Sequence, residues 1–336
     1  MATVPRRRPA QHDIDWSPIA GTVVWMPAEH RRPSVDEPTA MRILRCTRES
    51  FARLRECGLE AAMTPAGPVY DANDIRNAAL YSGSGRTEVE TAMGAVLSFL
   101  RGPDEELFVN RHWTYEMVGR RAADGADRCL LHPLTPEVFG GESDPLVGGD
   151  GEPVRVGDRV SVPPGVPVRA TMVTRGRPDP VRDPAIGAIT AEFLASGVRW
   201  HHLPAGLKRD AQAAFARGIG DCDTVSAVLA ERFTDAGYDA RVFRGWIVGI
   251  TDVPHSWVEV VDTDQQVKVI DPSLLLLARH PRLGSPDFAG RTLGARLNRI
   301  APTRCPLGEP IGRSPAGMPC EVRFFCREAA PRGLPR

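Results

Sequence analysis

Lysine is scarce in this sequence: Lys208 and Lys268 are the only two, and arginine supplies the other basic residues. The 42 basic residues are matched by 42 acidic ones, so the formal net charge at pH 7 is zero. A chain without a basic excess has no overall field that would draw it to nucleic acid or to an anionic membrane. We therefore expect neither nucleic acid nor a membrane as a partner.

Long hydrophobic runs and paired cysteines are missing as well. The run LLLLA at residues 274–278 is far shorter than the roughly 20 residues of a membrane helix. The N-terminal stretch MATVPRRRPAQHDIDW is basic, but no apolar segment of a secretory signal follows it. The seven cysteines are odd in number and lack disulfide-framework or zinc-type spacing. These absences predict a cytoplasmic protein with no metal and no cofactor.

Four segments follow one another along the chain. Residues 1–33 are rich in arginine and proline and predict a flexible arm. Residues 34–176 pass from helical patterns to valines alternating between Gly and Pro turns, which predicts a helical and β-rich accessory domain. Residues 177–280 form the predicted catalytic domain, and residues 281–336 a Pro-rich C-terminal extension.

Two capping-box patterns predict helix starts in the accessory domain. Ser34 precedes Glu37 by three positions, and Thr87 precedes Glu90 in the same way. The stretch YSGSGR before the second pattern resembles a phosphate-binding loop only loosely, because it lacks the Gly-Lys-Ser/Thr ending. We interpret it as a flexible turn.

Cys222 lies at the predicted start of a helix, a position that suits a nucleophilic thiol. The stretch ARGIGDCDTVSAVLAERF places it at the start of an amphipathic helical pattern, where unpaired N–H groups and the helix dipole favour a thiolate. Gly218 and Gly220 predict an open approach for a substrate carbonyl. Asp221 and Asp223 flank the thiol, and their negative charge opposes its ionisation.

A base and a carboxylate follow in two strand patterns. PHSWVEVV predicts a half-buried strand that begins at His255, and VKVIDPS predicts a second strand that ends at Asp271. The turn DTDQQ between them predicts a hairpin, which would bring His255 and Asp271 together. A helix packed so that Cys222 meets the histidine would complete a thiol, a base and an orienting carboxylate.

The order Gly-x-Gly-x-Cys, helix, strand, His-x-Trp-Val-Glu-Val and Asp-Pro resembles the transglutaminase-like superfamily over about residues 183–275. This resemblance implies an α+β fold with a papain-like core, in which a helix bearing the cysteine packs on an antiparallel sheet. It also implies that Cys222 is the nucleophile, His255 the general base and acid, and Asp271 the orienting residue. Each residue alone is more often structural, but the three in this order favour catalysis.

The sequence indicates the oxyanion donors and the substrate-contacting residues less specifically than it indicates the three catalytic residues. The backbone N–H of Cys222 is one expected donor. In the family the second donor is often an upstream side chain, and VRWHHLP offers Trp200 and His201 as candidates. Trp257 is expected to wall the cleft beside the catalytic histidine, and Gly220 to leave space for substrate.

These residues predict cysteine-dependent acyl transfer through an acyl-enzyme. The first interpretation is a condensing enzyme of small-molecule biosynthesis that joins an acyl donor (an amide, ester or carrier-bound thioester) to an amine acceptor. A thiol peptidase or amidase that uses water is the alternative, and a non-catalytic interaction module is the third. The sequence does not separate the first two, because the choice of acceptor depends on how well the cleft excludes water.

Overall fold

The N-terminal segment packs against the body of the protein. The computed structural model describes residues 10–139, 141–143, 147–148, 153–285 and 287–330. Within the predicted arm, Trp16 is buried and its indole N–H donates to the backbone oxygen of Ser50 at 2.8 Å. The backbone N–H of Met26, also buried, donates to Asp74 at 2.7 Å. Residues 10–33 therefore differ from the predicted flexible arm, because their apolar side chains fill a core; residues 1–9 lie outside the described ranges.

Residues 33–108 form a small antiparallel sheet with helices around it. The elements are β1 (Pro33–Asp36), α1 (Glu37–Leu44), α2 (Arg48–Glu56), β2 (Ala61–Thr64), β3 (Gly67–Asp71), α3 (Ala72–Leu80), α4 (Glu88–Ser98) and α5 (Asp104–Phe108). The strand order is β1-β3-β2. The packed faces of α1, α2 and α3 share one apolar core with the N-terminal segment.

One of the two predicted capping boxes is present. Thr87 accepts the N–H of Glu90, and the Glu90 carboxylate accepts the N–H of Thr87, at the start of α4. The box predicted at Ser34 is wrong. Ser34 lies in β1, and Asp36 caps α1 instead by accepting the N–H of Thr39 at 3.0 Å.

Residues 110–175 are built from strands, as their alternating valines predict. They are β4 (Asn110–Gly119), β5 (Cys129–Leu131), β6 (Glu142–Ser143), β7 (Val147–Gly148), β8 (Val154–Val156), β9 (Arg159–Val162) and β10 (Pro167–Arg175). A short 3₁₀ helix at Pro136–Phe139 precedes β6.

The remaining elements alternate helices with strands and then end in strands. They are α6 (Pro184–Ala195), β11 (Arg199–Trp200), α7 (Ala205–Lys208), α8 (Ala211–Ala216), β12 (Ile219–Gly220), α9 (Cys222–Asp235), β13 (Ala240–Ile247), β14 (His255–Val261), β15 (Val267–Ile270), α10 (Pro272–Ala278), α11 (Asp287–Thr292), β16 (Leu293–Gly294), β17 (Ile300–Thr303), β18 (Gly312–Arg313) and β19 (Val322–Glu328). The predicted mixture of helices and sheets is confirmed, and the described strand pairs are antiparallel except for the parallel pair β11–β12. None of the described helices has the length and apolarity needed to cross a membrane.

The central sheet has the strand order β16-β15-β14-β13-β17, and all its neighbours are antiparallel. Helix α9 packs on this sheet. Its apolar stripe, which includes Val228 and Phe233, shares a core with Val258 and Ile270 of the sheet. Each side chain buried in this way stabilises the fold by about 1.5–3 kcal/mol. This packing fixes the N-terminus of α9 beside the first residue of β14.

The last residues of the chain complete sheets that began much earlier. Strand β17 pairs with β13, β18 with β5, and β19 with β4. The resulting sheets β19-β4-β10-β6 and β18-β5-β9-β8 share a buried core that includes Trp113, Val160 and Phe324. The described part of the predicted C-terminal extension is therefore integral to the fold, because its apolar strand faces fill a core; residues 331–336 lie outside the described ranges.

Candidate active site

Cys222 is the first residue of α9. Asp221 caps the helix, because its carboxylate accepts the N–H of Thr224 at 3.1 Å while the Thr224 hydroxyl accepts the N–H of Asp221 at 2.8 Å. This double cap fixes the backbone on which the thiol stands. Cys222 as a residue is partly exposed and lines a cleft, through which a substrate can reach it.

Gly220 brings the preceding strand close to α9. Strand β12 pairs in parallel with β11, and Trp200 lies opposite Gly220. A Cβ atom on Gly220 would lie 2.5 Å from Cγ1 of Val225. Gly220 is itself buried, so the structure differs from the expectation that it leaves space for substrate. It allows β12 to contact the first turn of the helix.

His255 and Asp271 meet where β14 begins and β15 ends. His255 begins β14, and Asp271 follows β15 and caps α10. The Asp271 Oδ2 atom lies 2.6 Å from His255 Nε2, and its Oδ1 atom accepts the N–H of Leu274 at 2.9 Å. Both side chains are almost fully buried. The carboxylate therefore holds the imidazole in one orientation.

The structure brings Cys222 into hydrogen-bond contact with His255. Because Nε2 of His255 faces Asp271, Nδ1 is the ring nitrogen that remains for the thiol. The three predicted residues thus form a continuous series from thiol to imidazole to carboxylate. A proton leaving the thiol has an acceptor within reach, and the acceptor has a fixed tautomer.

Burial and charge act in opposite directions on this pair. Burial raises the pKa of the Cys222 thiol, and the negative charges of Asp223 and Asp221 also raise it, whereas the hydrogen bond to His255 lowers it. Burial disfavours the imidazolium of His255, yet the charge and hydrogen bond of Asp271 raise its pKa well above the usual value. The sequence predicted a lowered thiol pKa from the helix terminus. At Cys222 the desolvation that comes with burial outweighs that effect, and the pKa of the thiol is raised.

Each carboxylate beside the thiol has a cationic neighbour. Lys208 Nζ lies 2.5 Å from Asp221 Oδ2. Asp223 Oδ1 accepts the hydroxyl of Ser256 at 2.5 Å and lies 3.8 Å from Nε of Arg244. These cations offset the negative charge that the sequence places around Cys222. The two cations therefore favour the ionised form of the Cys222 thiol.

The cleft around Cys222 has a volume of about 550 Å³. Helices α3 and α4 of the N-terminal part form one wall, through Asn73, Arg76, Met93 and Val96. Its other lining residues include Trp200, His202, Leu203, Lys208, Arg244, Ile247, Val253, Pro254, Ser273, Leu274 and Leu277. The predicted accessory segment thus contributes directly to the wall of the site.

The four candidate substrate or oxyanion positions have different surroundings. Trp200 lines the cleft, and its indole N–H is buried without a hydrogen-bond partner among the described residues. His201 is fully buried outside the cleft lining, and its Nε2 accepts the backbone N–H of Val24 at 3.2 Å. The sequence analysis named His201 as a candidate oxyanion donor, but its side chain does not line the cleft. Gly220 supports packing, as described above.

Trp257 is a core residue rather than a wall of the cleft. It is fully buried, and its ring stacks on Phe243 at 6.4 Å between ring centroids. Its ring lies 6.3 Å from that of His255. Trp257 therefore packs near the imidazole of His255 and does not line the cleft.

Sequence reasoning missed His202. Its ring lies 4.8 Å from that of Trp200, edge to face, and it lines the cleft. Burial, followed by the charges of Arg76 and Lys208, lowers the pKa of His202 to about 3, so the ring is neutral at pH 7. A signal was present in VRWHHLP: alternation in an extended chain puts Trp200 and His202 on one side and His201 on the other.

The structure was searched for metal-binding groups, and the sequence was compared with known protein families and curated proteins. Within the described ranges, no group of three or more His, Cys, Asp or Glu side chains is arranged to hold a metal ion. No protein-family model matches the chain, and no curated protein matches it.

Two solved structures are weakly similar. One is a candidate cysteine protease from Cytophaga hutchinsonii, with a TM-score of 0.36, 10% identity, and coverage of 67% of this chain and 93% of that one. The other is the periplasmic domain of TgpA from Pseudomonas aeruginosa bound to ethylmercury, with a TM-score of 0.22, 13% identity, and coverage of 59% and 97%. Similarity at this level does not assign a family.

Proposed function

We propose that this protein is a transglutaminase-like enzyme with a papain-like core, which transfers an acyl group through a thioester on Cys222 and forms an amide bond. One observation carries the proposal: the thiol, His255 and Asp271 are in series at the N-terminus of α9, inside a cleft. That arrangement supplies a nucleophile, a base and an orienting carboxylate.

The reaction has two halves that use the same groups. In the first, the thiol proton passes to His255 Nδ1, Cys222 Sγ attacks the carbonyl carbon of the donor, and the imidazolium returns the proton to the leaving group. In the second, His255 takes a proton from an amine, the amine nitrogen attacks the thioester, and Cys222 leaves and recovers the proton. The Cys222 N–H and the Trp200 indole N–H are the proposed oxyanion donors.

The cleft lining favours an amine over water as the acceptor. Met93, Val96, Ile247, Leu274 and Leu277 make much of the wall apolar. A thioester is attacked by amines far more readily than an amide is, so a site that limits water directs the acyl group to an amine. Water still has a route, because the rim residue Val253 is 60% exposed. Hydrolysis, as in a thiol peptidase or amidase, is therefore the second candidate function.

Intact mass spectrometry tests this proposal. The full chain is incubated with p-nitrophenyl esters and N-acetylcysteamine thioesters, and an adduct on Cys222 is expected. Hydroxylamine or a small amine at millimolar concentration should then release an amide or hydroxamate. Cys222→Ala should give no adduct, and Cys57→Ala, which removes an exposed free thiol, should behave as the wild type.

Three outcomes would change the assignment. Hydrolytic product alone across a panel of amines, with efficient peptide cleavage, would assign a hydrolase. Adduct formation on Cys57 as fast as on Cys222 would remove the nucleophile assignment. A chain that forms no adduct with any donor would support the third interpretation, a non-catalytic module.

A further inference from the structure

A second cavity shares Trp200 and Leu277 with the cleft of Cys222. Its volume is about 630 Å³. Apolar side chains such as Val198 and Leu276 form part of its lining, together with the ring of Tyr81. Three arginines also line it, namely Arg199, Arg279 and Arg282, and no aspartate or glutamate of the described chain does. The cavity is therefore apolar in part and strongly positive in charge.

None of these arginines has a carboxylate partner within the described ranges. Arg199 donates through Nη1 to the backbone oxygen of Gly21 at 2.6 Å, and Arg279 donates through Nη1 to that of Leu194 at 2.5 Å. The Arg282 guanidinium makes no hydrogen bond to any residue that the structure describes. Their positive charges are not paired with a described carboxylate, which distinguishes this cavity from the cleft, where Lys208 and Arg244 face Asp221 and Asp223.

The glycine-rich stretch YSGSGR borders the same cavity. Gly83 lines it, and both Gly83 and Gly85 have left-handed backbone conformations, with φ of 66° and 68°. The Arg282 side chain lies 3.9 Å and 3.8 Å from the positions that Cβ atoms on these glycines would take. A Cβ atom at either position would make an ordinary van der Waals contact with Arg282, so the positive φ, and not lack of space, favours glycine at both positions.

This stretch also leaves backbone donors available. The N–H groups of Gly83 and Gly85 have no hydrogen-bond partner among the described residues. The nearby carboxylate of Glu90 accepts the N–H groups of Arg86 and Thr87 at 3.1 and 3.3 Å and does not line the cavity. The Glu90 charge also acts on His280 of the cavity lining, so it offsets only part of the positive charge of the three arginines.

We propose that this cavity binds the phosphate group of a small ligand. A phosphate carries up to two negative charges and several acceptor oxygens, and guanidinium groups bind such oxygens in bidentate pairs. The three arginines line one cavity and are exposed to solvent, so a ligand can reach them, and together they match a phosphate dianion better than they match a single carboxylate ligand. The apolar part of the lining would contact the remainder of the ligand. The phosphate proposal does not rest on acyl transfer at Cys222, although the two sites share Trp200 and Leu277.

Calorimetric titration of the full-length protein with sodium pyrophosphate tests the proposal. Saturable binding is expected at roughly 0.15 M NaCl, an ionic strength that screens non-specific surface attraction. Arg282→Gln should weaken the affinity by about tenfold or more, because it removes a charged donor. Arg55→Gln, a change at an exposed arginine of α2 outside the cavity, should leave the affinity unchanged. Circular dichroism verifies that each variant is folded.

Titrations with citrate and with variant proteins show which outcomes would overturn the proposal. Citrate is expected to bind more weakly than pyrophosphate, and equal or tighter citrate binding would overturn the assignment to phosphate. Absence of saturable heat with the wild type, or unchanged affinity in the Arg279→Gln/Arg282→Gln variant, would overturn the site. Cys222→Ala should retain pyrophosphate binding, so failure here and failure of the acyl-transfer proposal are distinguishable.

Discussion

Both oxygens of the Asp271 carboxylate are in use. Oδ2 faces His255, and Oδ1 accepts the N–H of Leu274 at the start of α10. An asparagine would retain one acceptor oxygen but would present an NH₂ group at the other position. Only one of the two contacts would then keep its geometry. The orientation of His255 therefore depends on a carboxylate in particular.

The proposed triad predicts graded losses of activity. Cys222→Ala and His255→Ala should each abolish turnover, because they remove the nucleophile and the base. Asp271→Asn should lower kcat by roughly 10³–10⁴-fold and leave measurable activity, because it disturbs tautomer and orientation only. Steady-state kinetics with a donor found by mass spectrometry provides the measurement. Full activity in the His255 variant would show that another group is the base.

Lys208 controls the charge beside the thiol. Burial lowers the pKa of Lys208, but the charge and hydrogen bond of Asp221, followed by the charge of Cys222, raise it overall. The ammonium group and the thiolate therefore stabilise each other when both are ionised. Lys208→Met removes this cation and leaves Asp221 unpaired. The pKa of Cys222, already raised by burial, should rise further.

Iodoacetamide labelling across a pH series measures this shift. The labelling rate of Cys222 increases as its proton is lost, so a higher pKa moves the midpoint of the profile to higher pH and slows labelling at neutral pH. Lys208→Arg keeps the positive charge and serves as the control. A midpoint that stays in place or moves to lower pH in Lys208→Met would contradict the role assigned to Lys208.

At the scale of elements, the contact between β12 and α9 depends on a missing side chain. Gly220→Ala would place a Cβ atom 2.5 Å from Val225 Cγ1. We expect a loss of about 1–3 kcal/mol in the free energy of unfolding, together with slower acylation as the helix start shifts. Urea denaturation and labelling of Cys222 measure the two effects.

Removal of the clashing methyl groups provides the matched test. In Gly220→Ala/Val225→Ala the loss of stability should be smaller than the sum of the two single losses. Additive losses would mean that Gly220 and Val225 are not coupled, and the glycine would then need another explanation. The comparison is made by denaturation of all four proteins.

Elements with a strong local pattern could be predicted, and elements defined by distant pairing could not. The stripe of α9 and the alternation of β14 are local signals, and the structure has both elements at the predicted places. The helix expected from residue 34 is divided, because Arg45 adopts a left-handed conformation with φ of 51° and Thr47 caps a new helix. No local pattern shows that β19 pairs with β4, or that Arg76 of α3 lines the cleft.

At the scale of the whole molecule, the C-terminal strand is part of the core. Phe324 of β19 is 2% exposed and stacks on Trp246 at 4.4 Å, whereas its neighbour Phe325 is 56% exposed. Phe324→Ala should lower the free energy of unfolding by about 3–5 kcal/mol. Phe325→Ala should change it by about 0.5 kcal/mol or less. Thermal denaturation of the two variants compares them, and equal losses would mean that β19 is not packed as described.

The pairing of β19 with β4 also affects how the chain folds during synthesis. The ion pair between Arg111 and Glu328 joins residues 217 positions apart. A ribosome that adds about 5–20 residues per second needs on the order of 10–40 s to make the intervening chain, and during that time β4 lacks one of its neighbouring strands. Chaperone binding to nascent chains should therefore concentrate on this edge. Prematurely terminated products should be degraded rather than accumulate as folded, thiol-reactive fragments.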